Sequence, residues 1–147
     1  MVGQTISELK VGQSASFSKT ITETDIYLFA GVSGDLNPAH IDEEKAKDTR
    51  FKKRIAHGML TASFISTVIG MQLPGPGTIY LEQSIRFRAP VYIGDTIKAV
   101  VTITEVDSNK NRVKLDTFCY NQDEQLVVEG YAQVMPPSKE QPLKKVS

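Results

Sequence analysis

Two stretches of this chain carry residue types that can do chemistry. Ser33-Gly34-Asp35-Leu36-Asn37-Pro38-Ala39-His40-Ile41-Asp42 sets a carboxylate and an imidazole five residues apart on a segment stiffened by Pro38. Ile55-Ala56-His57-Gly58-Met59-Leu60 follows, and opens an apolar helical pattern with a glycine. A base, an acid and an anion-binding helix end are what adding water to a polarised double bond requires. Taken singly, each residue has a plainer use. Asp35 after Gly34 can satisfy a turn, and His40 can be a hydrogen-bonded structural histidine. Their joint occurrence ahead of His57-Gly58 is what points to a site. His57 can bond backbone, line the cleft or shape the approach to Gly58. Asn37 can fix the loop through its side chain, with Pro38 keeping the residue before it out of the helical region.

The elements that must position these groups divide into a helical front and a strand-rich back. Residues 14–20 alternate around Phe17, which predicts a short edge strand. From Thr22 the period changes: Ile26, Phe29 and Ala30 recur at helical spacing, Thr22 and Asp25 have capping-box spacing, and Gly31 and Gly34 end the helix. An irregular segment runs through His40. Asp42 then caps a short exposed helix with acidic residues in its first turn. From Gly58 to about Gln72, Met59, Leu60, Phe64, Ile65, Val68, Ile69 and Met71 spread round most of the helical circumference, so this helix is expected to be buried. Ser66, one of its few polar residues, can bond back to a carbonyl one turn earlier.

Leu73-Pro74-Gly75-Pro76-Gly77 breaks the helix. Four strands are predicted beyond it, at Ile79 to Arg88, Thr96 to Val106, Val113 to Tyr120 and Leu126 to Met135, joined by turn-forming segments. Long and meander-like, they can wrap a sheet around the buried helix.

Composition narrows the function classes. The 147 residues fit one domain with its own core, expected over residues 1–137, followed by a polar, proline-rich tail at 138–147 that reads as disordered. Seventeen basic and seventeen acidic residues give zero net charge, so no global field draws nucleic acid or anionic lipid. The lone cysteine, Cys119, lies in an alternating apolar pattern and reads as a small core side chain. The amino terminus lacks the order of a secretory signal, and no apolar run is long enough to span a bilayer. A soluble protein of the cytoplasm is expected. Two histidines and one distant cysteine make no metal-ligand spacing. Gly75-Pro76-Gly77 fails the context of a nucleotide-binding loop. Neither metal nor cofactor is expected.

One helix rolled in an antiparallel sheet is an α+β architecture, the hotdog fold. The chain resembles the MaoC-like dehydratases, and within them the short, single-domain (R)-specific enoyl-CoA hydratases. The resemblance runs from about Val11 to Pro136. It is carried by Phe29-Ala30 through His40-Ile41-Asp42, then Phe51, then Ile55-Ala56-His57-Gly58-Met59-Leu60, with Gly94-Asp95 in support. It implies that Asp35 and His40 form the hydratase dyad, and that Gly58 supplies the backbone donor facing the thioester carbonyl. It also implies that Ser66 lines the site. Asn37, His57 and Ile69 join Ser66 as expected substrate-binding residues, with Ile69 and Leu73 limiting the acyl chain.

The implied reaction is reversible hydration of trans-2-enoyl-CoA to (R)-3-hydroxyacyl-CoA, and the implied assembly is a homodimer or higher homo-oligomer. Arg50, Lys52, Lys53 and Arg54 form a basic cluster next to the motif, with Arg86 and Arg88 as further cations. Such a cluster can bind the phosphates of coenzyme A or be a solvated face. Two other functions stay open on the residues alone: a hotdog acyl-CoA thioesterase, and a non-catalytic acyl-thioester binding module.

Overall fold

The computed structural model describes residues 2–139. Of the tail expected to be disordered, residues 140–147 lie outside the described residues; Ser138 and Lys139 have no regular secondary structure.

In chain order the elements are β1 (Ser14–Thr20), α1 (Glu23–Ser33), α2 (Pro38–Ile41), α3 (Glu43–Lys47), α4 (Gly58–Met71), β2 (Ile79–Phe87), β3 (Thr96–Asp107), β4 (Arg112–Tyr120) and β5 (Leu126–Met135). The strands form one antiparallel sheet in the order β1-β3-β4-β5-β2. The meander therefore covers β3 to β5, while β2 crosses to the far edge beside β5 and β1 takes the other edge. The period-two pattern behaves as expected in the central strands. Ile97, Ala99, Val101 and Ile103 of β3 face the core with Val113, Leu115, Thr117 and Cys119 of β4, each at most 1% exposed. β2 departs from this, because nothing among the described residues covers much of it: Ile79 and Leu81 are exposed.

The capping box at Thr22 forms. The Thr22 hydroxyl accepts from the Asp25 amide at 3.1 Å, and the Asp25 carboxylate accepts from the Thr22 amide at 2.9 Å. Gly31 does not end α1. It lies inside the helix, and the stop falls to Gly34, whose φ of 78° places it in the left-handed conformation that favours glycine. The segment through His40 is also more regular than expected. Asn37 caps a short turn of helix, its Oδ1 accepting the Ala39 amide at 3.0 Å, with Pro38 as the first helical residue.

The helix α4 lies on the sheet against β3, with further contacts to β1 and β4. Leu60, Ala62, Phe64, Ile65, Val68 and Ile69 are buried, whereas Met59, Ser63, Ser66 and Met71 are exposed. The helix apolar nearly all round is thus covered on one side only by the described residues of a single chain. The arrangement is the α+β hotdog fold.

Candidate active site

The groups singled out in the sequence meet because four short connections hold them. Asp35 follows the left-handed stop of α1. Its amide donates to Ser33 Oγ at 3.1 Å, and its Oδ1 accepts the Asn37 amide at 3.1 Å. His40 sits on α2, where the helical turn directs its ring inward; it is 8% exposed. The strand-like bridge Ile55↔Tyr92 and the bond from the Ala56 amide to the Val91 carbonyl at 2.7 Å bring the residues before α4 to the same place. A carboxylate oxygen of Asp35 and one ring nitrogen each from His40 and His57 lie within 4.8 Å of one another.

Hydrogen bonds fix both imidazole tautomers. His40 Nδ1 is 2.7 Å from the carbonyl oxygen of Ile55. A carbonyl can only accept, so Nδ1 carries the hydrogen and neutral His40 presents a lone pair at Nε2. That nitrogen is not enclosed by protein, and it has no partner among the described residues. In His57 the order is reversed. Nε2 donates to the main-chain oxygen of Asp35 at 2.9 Å, and Nδ1 is buried without a partner among the described residues. An orphaned polar atom of this kind costs about 1–3 kcal/mol. Asp35, His40 and His57 do not converge as metal ligands. The two rings are stacked 3.9 Å apart and tilted by only 29°, so a single ion cannot lie in both ring planes at bonding distance.

The three residues border a cavity of about 550 Å³. Phe29, Phe51, Met59 and Phe87 make its apolar walls, Val127 and Val128 come from β5, and Thr61 joins from the second turn of α4. The amides of Gly58 and Met59, at the first turn of α4, have no acceptor among the described residues. They carry the positive end of the helix dipole at the rim of this cavity. Glycine at 58 lets a neighbour approach closely: an added Cβ would lie 2.7 Å from Cε1 of Phe87, so the ring would have to shift.

The other expected substrate-binding residues are placed differently. Asn37 is exposed and engaged as the cap of α2. Both nitrogens of His57 are withdrawn from the cavity, although its ring borders it. Ser66 lies on the exposed outer side of α4, and Ile69 is 1% exposed within the core; neither borders the cavity.

The basic cluster divides as well. Arg54 is consumed by structure. Its guanidinium donates to Glu23 at 2.6 Å, to Glu43 at 2.7 Å and to the Tyr27 hydroxyl at 3.0 Å, tying α1 to α3. The bond from Arg54 holds the Glu23 carboxyl below the usual carboxylate range. Arg50 and Arg88 both border the cavity, Arg88 paired with Glu129 and Arg50 beside Phe51. Sequence reasoning missed the contributions of Phe87, Ala89, Pro90 and Val91 and of Val127 and Val128, which arrive from segments remote in the chain. The run Phe87-Arg88-Ala89-Pro90 carried one signal, a strand stopped by proline, but nothing local says where it stops.

A family model described as MaoC like domain matches residues 7–123. An (R)-specific enoyl-CoA hydratase of Rhodospirillum rubrum is 55% identical over 132 residues, covering 90% of this chain and 91% of its own. A 3-hydroxybutyryl-CoA dehydratase of Methylorubrum extorquens is 42% identical over 134 residues, covering 91% of this chain and 85% of its own. Among solved structures, the unliganded R-hydratase PhaJ1 of Pseudomonas aeruginosa superposes with a TM-score of 0.87 at 45% identity, covering 99% of this chain and 96% of that one. Motif, fold and relatives agree, and the chain belongs to the MaoC-like family of dehydratases.

Proposed function

We propose that this chain is an (R)-specific enoyl-CoA hydratase, a cofactor-independent hydro-lyase that interconverts trans-2-enoyl-CoA and (R)-3-hydroxyacyl-CoA. The observation that carries the reading is the convergence of the Asp35 carboxylate and a His40 ring nitrogen within 4.8 Å, beside the open amino end of α4. That spacing admits one water donating to both groups. Its oxygen then has a lone pair free to attack the β-carbon while one of its protons passes to the dyad. Negative charge moves to the thioester oxygen, where the Gly58 amide and the helix dipole stabilise it. The proton held by the dyad goes to the α-carbon. The water's second proton stays on the new hydroxyl, so atoms and charge balance.

Asn37 serves this scheme by shaping the loop, and the apolar walls receive the acyl chain. Ser66 and Ile69 do not border the cavity of a single chain, and Ser66 lies instead on the exposed side of α4. Arg50 is the cation best placed to meet a phosphate of coenzyme A. A homodimer fits the exposed apolar residues Met59, Met71, Ile79, Leu81 and Phe87 on α4 and the edge strand β2. No helix of the described residues is long and apolar enough to cross a membrane. We place the enzyme in the cytoplasm, where its thiol stays reduced.

The test is incubation with crotonyl-CoA and a longer enoyl-CoA, following loss of the conjugated thioester absorbance and assigning the product with an R-selective dehydrogenase. Loss of absorbance with R product is expected. Release of free thiol without hydration, or S product, refutes the proposal.

A further inference from the structure

The hydration scheme gives His57 no step, yet its surroundings are not those of a ring chosen for packing. It is 2% exposed, its Nε2–H is spent on the carbonyl of Asp35, and its Nδ1 lone pair is buried with no partner among the described residues. One face stacks on His40 at 3.9 Å, and Phe29 tilts against it at 4.9 Å. A phenyl ring would fill that slot without orphaning a polar atom. What a phenyl ring lacks is a donor.

We propose that His57 is a positioning residue for both members of the dyad: its Nε2–H holds the peptide of Asp35, and its ring face sets the plane of His40. The inference rests on the hydratase reading. Asp35 lies in an exposed stretch, and its other hydrogen bonds, to Ser33 Oγ and from the Asn37 amide, are to residues two positions away. Those bonds shape the loop without anchoring it. The bond from His57 spans 22 residues and fastens the loop to the residue that precedes α4. Because Gly58 is next in the chain, carboxylate, imidazole and helix amide are referred to one rigid point. A misplacement of about 1 Å between reacting groups costs on the order of 100-fold in rate, which is the scale this anchor protects.

The experiment compares His57→Phe with His57→Gln in the enoyl-CoA assay. Phenylalanine keeps the ring and its stack but loses the donor, whereas glutamine keeps an N–H near the position of Nε2 and loses the ring. On the scale of general acid–base positioning, His57→Phe should lower kcat about 100-fold with KM within about threefold, and His57→Gln should retain kcat within about tenfold. The reverse order, with phenylalanine near wild type, is what packing alone gives and overturns the proposal.

A second measurement needs no variant. Imidazole nitrogen NMR of the wild-type protein at alkaline pH should show His57 as the Nε2–H tautomer and His40 as the Nδ1–H tautomer; the opposite assignment for His57 overturns the proposal. A wild-type protein without hydratase activity refutes the hydratase reading and the positioning role together. Normal wild-type turnover beside an unimpaired His57→Phe variant refutes the positioning role alone.

Discussion

Gly58→Ala probes the tightest point of the site, where the first residue of α4 meets the last residue of β2. The new methyl carbon would stand 2.7 Å from Cε1 and 2.9 Å from Cδ1 of Phe87. That is about 1 Å inside the ~3.5–4.0 Å at which carbon atoms rest, so the ring has to retreat. Phe87 is 53% exposed and has solvent to move into. The cost therefore falls at the low end of the range for overpacking, about 1 kcal/mol. Against it stands the helical advantage of alanine over glycine, at most about 1 kcal/mol and less in a first turn.

Gly58→Ala alone should then be destabilising by about 0.5–1 kcal/mol. The same change in a Phe87→Ala background should be neutral or stabilising, a coupling of about 1 kcal/mol between contacting residues. Urea denaturation of the four proteins measures it. Turnover should fall roughly 10- to 100-fold in Gly58→Ala, because the displaced ring borders the cavity where substrate must be aligned. Equal costs of Gly58→Ala in both backgrounds would refute the reasoning, since the glycine would then be required by something other than the phenyl ring.

Asp35→Asn keeps an oxygen to accept the Asn37 amide but removes the charge, so kcat should fall by about 10²–10⁴-fold with an unchanged circular dichroism spectrum. Arg54→Ala deletes three bonds that join α1 to α3 and should lower stability by about 1–3 kcal/mol in denaturant titration, with Arg54→Lys recovering only part because an ammonium lacks the planar fork. Burial pushes the Cys119 thiol up to about 12, so a thiol reagent at pH 8 should leave the native protein untouched and label one equivalent after unfolding. The same shift has a sign in alkali. Its contribution is intact below the ordinary thiol value of about 9 and is lost as the pH rises toward about 12, because the unfolded chain ionises first. Replacing Cys119 by Ala should flatten that part of the stability profile.

Much of the fold is legible in the sequence because its signals are local. Alternation locates β3, β4 and β5 within a residue or so of their ends, and the side chains of Thr22 and Asp25 announce the start of α1 three residues apart. What escapes depends on partners far away in the chain. Gly31 reads as a stop yet stays helical, since Gly34 already supplies the reversal. The polar side of α4 is sparse, so periodicity cannot distinguish a helix enclosed all round from one with an open flank. β2 shows the same limit, because its alternation marks two faces without saying whether anything covers them. In the site, the spacing of Asp35 and His40 marks the proposed dyad, but the segment carrying Phe87 to Val91 is brought there by the bond between Ala56 and Val91. No motif encodes that bond. The standing of His57 is hidden for a related reason: its two nitrogens differ only through a carbonyl 22 residues earlier.

The proposed reacting groups all fall between residues 35 and 58, whereas Phe87, Val127 and Val128 reach the cavity from strands formed later in the chain. The early passage thus carries the proposed chemistry together with the walls at Phe29, Phe51 and Met59, and the late passage completes the apolar lining. Exchange of the late passage alone offers a route to enzymes with altered tastes in acyl length that inherit an untouched proton-handling apparatus.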